Sequence, residues 1–428
     1  MLNIFQKVFI CCTKHATQQV WLMCPDEPKA QTNKAVSRLR ICFISPYPPR
    51  FDGIATYSHE LVEGIKKRGH TVYVICNPDF DAGGHTGQKN VFAAMDPQKV
   101  GWYQDVFDAI EKLNPDVVHI QHEYGLYDID GKLSTDLLDL LVRLNLQRIP
   151  IVVTYHSVYS TLGYKECLFM NLSLQLVDAG IVHEELQKIF LPVNLGWVPQ
   201  NVTVIPHGAE VLKAGGVTDV VESKKAYGLQ GKDVAMCLGW WEQYKRFEDV
   251  VEIWPQVVSE VPDAVLVIAG DARPGSRDGV RYKPTLLKAV ADSPAKDNIV
   301  VIQGSFQPKE YLTVENAADI VVLPYAQSSQ SGVLAHAFSL GKPAVVTDVG
   351  GLRDEVEASG GGVVVPRGDL EQLKDYVLLL LSNRQIRERY SQRALAYVEK
   401  RIGWKYVAGI HQSLYLSIIK KKSRAIRA

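Results

Sequence analysis

Between Asp319 and Glu355 the chain reads DIVVLPYAQSSQSGVLAHAFSLGKPAVVTDVGGLRDE, and this stretch constrains the fold more than any other. The apolar run Ile320 to Leu323 reads as a strand of a parallel sheet, buried on both faces. It empties into a polar loop ending at Ser331 and Gly332. Val333, Leu334, Ala337, Phe338 and Leu340 then recur at helical spacing until Gly341 stops the helix. A second apolar run, Ala344 to Thr347, leads to another loop, Asp348-Val349-Gly350-Gly351. Two strand-to-loop-to-helix corners thus follow one another. At such corners the N–H groups of a helix start have no partner and carry partial positive charge, and glycine lets a ligand approach the backbone. Ligands of open α/β sheets collect at the carboxyl ends of strands. A single corner reads equally well as an empty turn; two in succession favour a nucleotide or a sugar phosphate.

The alternation extends in both directions. RLRICFISPYPP reads as a buried strand and a proline-rich turn, followed by a helix whose apolar face carries Ile54, Tyr57, Leu61 and Ile65. Lys66, Lys67 and Arg68 suit the negative end of that helix and Gly69 ends it. Gly53, at its start, is placed to hold a substrate oxygen. The glycines do not space as G-x-G-x-x-G, which weighs against a dehydrogenase. Four later strands each have a histidine at or just past the C-terminal end, in Gln121-His122-Glu123, Tyr155-His156-Ser157, His183-Glu184 and Pro206-His207-Gly208. Singly, each reads as a hydrogen-bonded structural residue; together on one rim they read as a polar site. In the second half, strands are expected at Asp233 to Leu238, Ala264 to Ala269 and Ile299 to Gln303, with helices at about 248–260, 369–381 and 383–399.

A chain of 428 residues accommodates two full domains. Lysine plus arginine and aspartate plus glutamate number 47 each, so no charge excess points to nucleic acid. The seven cysteines lack metal-ligand spacing, and Cys42, Cys76 and Cys237 fall inside strands as small apolar residues. Adjacent Cys11 and Cys12 do not suit a disulfide framework, so a reduced, cytoplasmic setting is expected. No run is long enough to span a membrane, and no cleavage pattern follows MLNIFQKVFICC, so no signal peptide is expected. The boundaries drawn are an extension at 1–37, a first domain at 38–210, a second at 211–402 beginning in a polar linker with Gly215-Gly216, and a final helix at 403–428. That helix ends in Lys420, Lys421, Lys422, Arg424 and Arg427, which reads either as a solvated tail or as a peripheral contact with anionic lipid.

The stretches PYPPRFDGIATYSHELVEGIKKRGHTV, DVVHIQHEYG, IVVTYHSV and VIPHGAE, in this order and spacing, resemble the retaining glycosyltransferases of family 4. The resemblance runs from about Arg38 to Tyr415. It implies the GT-B fold: two doubly wound, Rossmann-like α/β domains facing across a cleft. It implies transfer of a sugar from a nucleotide-sugar to a glycan, lipid-linked or small-molecule acceptor, with retention of configuration and without a metal or cofactor. Carried over by position, Lys245 grips the donor diphosphate. The family often has an arginine where Trp240 stands, so that diphosphate contact is either missing here or supplied by Arg246. Gly270, Asp271, Ser331, Gly332, Val333, His336, Gly350 and Gly351 line the donor side. Gly53, Ile54, His122 and His156 line the acceptor side, and His122, His156 and Lys245 are the expected catalytic residues. The family commonly carries two glutamates eight positions apart where this chain has Ser328 and His336. The alternative reading that follows is a non-catalytic GT-B protein that binds a nucleotide-sugar or a partner enzyme. A phosphorylase or an epimerase is the rival enzyme, but no cofactor lysine stands out late in the chain.

Overall fold

A computed structural model describes residues 38–427 apart from 51, 79–87, 130, 131, 134, 213–218, 274, 329 and 330. The expected extension, Cys11-Cys12 and Gly215-Gly216 lie outside the described residues. Two parallel sheets dominate. The first half runs β1 (Arg40–Ile44), α1 (Gly53–Lys66), β2 (Thr71–Cys76), β3 (Val91–Ala93), α2 (Trp102–Leu113) and β4 (Val117–His122). A two-stranded hairpin follows, β5 (Asp128–Ile129) and β6 (Lys132–Leu133). Then come α3 (Asp136–Leu146), β7 (Ile151–Tyr155), α4 (Tyr164–Leu176), β8 (Ala179–Val182), α5 (Glu185–Leu195) and β9 (Val202–Val204). The sheet order is β3-β2-β1-β4-β7-β8-β9. The apolar runs are central strands because both faces are covered: every residue of β4, β7 and β8 is buried. Asp52 starts α1 by accepting from the Ala55 N–H at 2.8 Å, and Gly69, at φ 89°, ends its final turn.

The second half is built the same way. It contains α6 (Val220–Ala226), β10 (Asp233–Leu238), α7 (Phe247–Glu260), β11 (Ala264–Gly270), α8 (Arg277–Asp292), β12 (Ile299–Gln303), α9 (Pro308–Asn316) and β13 (Ile320–Leu323). It continues through α10 (Gly332–Ser339), β14 (Ala344–Thr347), α11 (Gly350–Ser359), β15 (Gly362–Val365), α12 (Leu370–Ser382) and α13 (Arg384–Tyr397). The order β12-β11-β10-β13-β14-β15 is that of a dinucleotide-binding sheet. Each sheet reverses direction once, between β1 and β4 and between β10 and β13, and those two points are where a doubly wound sheet opens a crevice. Helix α6 stands within the interval expected to be linker. It forms because Asp219 accepts from the Val221 N–H and Lys224 anchors it to Asp319 at 2.6 Å. Cys42, Cys76 and Cys237 are buried free thiols inside strands.

The chain crosses between the halves twice. A π-turn (Val398–Ile402) leads from α13 to Gly403 and the closing helix α14 (Trp404–Arg427), which packs on α1. The two crossings are bonded to each other: Ala209 N–H donates to Ile402 O at 2.8 Å and Trp404 N–H to Ala209 O at 3.2 Å. Trp404 lies against Gly208, where a β-carbon would come within 2.2 Å of the indole ring. Of the basic tail, Lys422 turns inward to Asp178 at 2.8 Å and to the Ile149 carbonyl at 3.0 Å. No helix among the described residues is long and apolar enough to cross a membrane.

Candidate functional site

In the second sheet, the loops leaving β10 and β13 flank the switch point. The first carries Lys245 on a short 3-10 turn. The side chain is buried, with Nζ 3.8 Å from the centre of the Tyr325 ring and 5.3 Å from that of Tyr244. Among the described residues no carboxylate lies within ion-pair distance of it. Burial pushes its pKa down to about 7, with Glu242 partly opposing. The second loop brings Tyr325 beneath that ammonium and ends at Ser331, the N-cap of α10, whose Oγ accepts from the Leu334 N–H at 3.3 Å. The N–H groups of Gly332 and Val333, first in the helix, have no carbonyl of the helix to bond. Val333 packs toward Gly239 at the exit of β10. Gly270 closes the group from β11: at φ 138°, a side chain there would collide with the Gly239 carbonyl. Tyr325 lies under the buried lysine and its side chain also reaches Ser331 at the helix start, so a buried cation and a helix N-terminus share a neighbour, which is the chemistry of an anion site.

The depressed lysine makes a testable pH dependence. Lysine titrates near 10.4 when unperturbed, and here about half the ammonium is lost by pH 7. Between those values the unfolded chain binds more protons, so this group makes stability rise with pH. An anion favours the charged form, so binding takes up a proton above about pH 7. Nucleoside diphosphate affinity is expected to fall as pH rises from there, by at most about tenfold per unit. Calorimetry in buffers of different ionisation enthalpy reads the proton uptake directly, and Lys245→Met should flatten the profile.

The first sheet's switch point lies between β1 and β4. Gly53 opens α1 with nothing within 4 Å of where a side chain would begin, and Ile54 behind it packs into the core. His122 ends β4 but is buried in an aromatic stack, 4.4 Å from Phe169 and 6.0 Å from Tyr127 between ring centres. Its Nδ1 has no partner, and burial lowers its pKa to about 3. His156 is equally enclosed: Nε2 meets Gln121 Oε1 at 2.9 Å and Nδ1 meets His183 Nε2 at 3.3 Å. Both of its ring nitrogens are thereby engaged, so His156 braces the strand ends rather than facing an acceptor. Gln121 continues the row to His119, which Tyr415 of α14 bonds at 2.6 Å. The sequence places histidines at strand ends; it does not disclose that two of them, His156 and His183, bond each other.

Three more donor-side expectations change. Arg246, in a left-handed conformation at φ 52°, is held by Asp249 at 2.6 Å and Glu248 at 3.1 Å, at the start of its own helix. Asp271 is taken by Lys283 at 2.7 Å and Gln303 at 3.1 Å. The corner at Gly350-Gly351 is filled: Gly350 lies on the Ser328 carbonyl of its own domain, and a β-carbon on Gly351 would overlap the Glu184 carboxyl of the first domain. Both Glu184 oxygens are buried without a hydrogen-bond partner. Burial, with Glu355 and Asp354 nearby, raises its pKa to about 9. One open corner remains, at α10. His336, one turn into α10, packs edge-on against Tyr311 at 5.8 Å. Sequence reasoning missed Tyr325 and Glu184, which no local pattern marks. It noted His207 without assigning it to the site, where the structure sets it opposite Gly332.

Residues 51–211 match the family described as Glycosyltransferase Family 4, and residues 232–383 the family described as Glycosyl transferases group 1. The chain is similar to N-acetyl-alpha-D-glucosaminyl L-malate synthase of Bacillus anthracis, 23% identical over 391 residues, 87% of this chain and 96% of that protein. It is similar also to phosphatidyl-myo-inositol mannosyltransferase of Mycobacterium tuberculosis, 24% identical over 398 residues, 89% of this chain and 97% of that one. Among solved structures, sucrose-phosphate synthase from Thermosynechococcus elongatus superposes with a TM-score of 0.71 at 18% identity, covering 90% of this chain and 100% of its own. Anabaena HepE in complex with UDP-glucose gives 0.70 at 15% identity, covering 89% and 100%. These structural likenesses concern the fold.

Proposed function

The chain belongs to the group 1, family 4 glycosyltransferases and has their GT-B fold, and from that premise we propose that it transfers a sugar from a nucleoside diphosphate donor with retention of configuration. The observation that carries this reading is Lys245: a buried lysine on the Tyr325 ring, with no carboxylate within ion-pair distance among the described residues, near the loop that ends at the N-cap of α10. Such a site is incomplete until an anion enters. In the transfer, the bond from the sugar's anomeric carbon to the leaving phosphate oxygen breaks. A bond to the acceptor oxygen forms on the same face, and the acceptor's proton passes to the departing diphosphate. Charge grows on that diphosphate, and Lys245 with the Val333 N–H group is preorganised to receive it. A metal is not part of the proposed step.

The acceptor is assigned to the first domain, at the open start of α1 beside Gly53. The name of one relative specifies malate and that of another an inositol lipid, so a glycan, a lipid-linked acceptor and a small metabolite all fit the class. A peripheral membrane contact would rest on the exposed Lys420, Lys421 and Arg424. Thermal stability against UDP-, GDP- and ADP-sugars tests the donor. A ligand at a hundred times its dissociation constant adds about 2.7 kcal/mol, a shift of several degrees. A shift with one nucleotide names the base. A shift without turnover supports the non-catalytic alternative, and no shift with any nucleotide sinks the donor reading.

A further inference from the structure

His207 is the first-domain side chain that reaches Gly332, the opening residue of α10. Its Nδ1 lies 2.8 Å from the Gly208 carbonyl, which can only accept, so Nδ1 carries the proton and Nε2 presents a bare lone pair. Burial lowers the pKa to about 3, and His183 adds to the effect, so the ring stays neutral. Three rings hold it in place: Tyr57 at 5.0 Å, His183 at 5.6 Å and Trp404 at 6.3 Å. On its open side, Nε2 is 3.8 Å from where a side chain of Gly332 would begin, and that residue has none. Among the described residues Nε2 has no hydrogen-bond partner.

A bare imidazole lone pair beside the first residue of a helix, whose N–H has no carbonyl of the helix to bond, asks for a particular chemistry. A phosphate oxygen accepts from the N–H but is repelled by the lone pair. A hydroxyl satisfies both, accepting from the N–H and donating to the imidazole. The two ends of the α10 turn therefore differ. Val333 faces Gly239 and the Lys245 loop, which suits the diphosphate; Gly332 faces the first domain and suits a hydroxyl.

We propose that His207 is a specificity-determining residue that accepts a hydrogen bond from a hydroxyl of the transferred sugar, held against the start of α10. This rests on the donor reading given above. The test compares two variants: His207→Phe, which keeps a ring and removes the lone pair, and His207→Gln, which restores an acceptor oxygen. Calorimetry is run with UDP, GDP and ADP and with UDP-glucose, GDP-mannose and ADP-glucose. In His207→Phe the free nucleoside diphosphate is expected to bind within about twofold of the parent, while the matching sugar nucleotide weakens about tenfold, equivalent to about 1.4 kcal/mol. His207→Gln is expected to recover most of that loss. Equal weakening of nucleotide and sugar nucleotide would mean a structural role and overturn the proposal, as would no weakening of either. If the unaltered protein binds no nucleoside diphosphate at all, the donor reading itself falls, and this assignment falls with it.

Discussion

Lys245→Ala is expected to lower turnover by about a hundred- to a thousandfold, on the scale of losing one oxyanion donor, roughly 2.7–4 kcal/mol. The same position should respond in the opposite sense when stability is measured. A buried ammonium without a carboxylate has lost its hydration and gained only the faces of Tyr325 and Tyr244 in return. Lys245→Met keeps the packed stem and removes the charge, so its melting temperature should equal or exceed the parent's. Each kcal/mol gained corresponds to about 2–4 °C in a domain of this size. Opposed signs in activity and stability are what a ligand site predicts and a packing role does not. If Lys245→Met instead melts well below the parent while binding nucleotide normally, the lysine is structural and the anion site must be sought elsewhere.

The second large effect is steric. A β-carbon at Gly208 would lie 2.2 Å from the Trp404 ring, so Gly208→Ala forces the indole out of its seat between the two crossings. Overpacking of this kind typically costs about 1–3 kcal/mol, and more where the obstacle is rigid. Trp404→Ala also destabilises, by removing ring contacts with Tyr57 at 5.3 Å and with His207. The two changes share one volume, so they should not add. In the double variant the cost of Gly208→Ala is expected to shrink, with a coupling of about 0.5–3 kcal/mol read from urea midpoints. Strict additivity would mean that the indole is not what requires glycine.

Much of the fold is legible because parallel strands are buried on both faces and so appear as unbroken apolar runs. AVLVIAG and IVVL are of this kind, and every residue in them is buried. Helix α8 is harder to see because its surface is charged and Pro284 interrupts it. Its N-cap, Ser276, is the signal available, since it accepts from the Gly279 N–H. At the site, Ser331 to Val333 can be read from the strand-loop-helix pattern, and Lys245 from the resemblance. Arg246 is paired with Glu248 and Asp249, competitors for its charge that stand close behind it in the sequence. Tyr325 under Lys245 and Glu184 against Gly351 depend on loops from separate strands meeting in space, which no local period encodes. The histidines carry the same lesson: a polar residue at a strand end is a site or a brace according to neighbours that only the fold supplies.

The bonded pair of crossings has a mechanical consequence. Two connections between domains that run apart would permit sliding as well as rotation. Joined at Ala209 and Gly403, they act as a single pivot, and opening becomes a swing about one line. Displacement in a swing grows with distance from the pivot. His207 stands two residues from it, so such a swing moves it little, while Glu123 and Arg273, whose charges influence each other, stand on opposite domains.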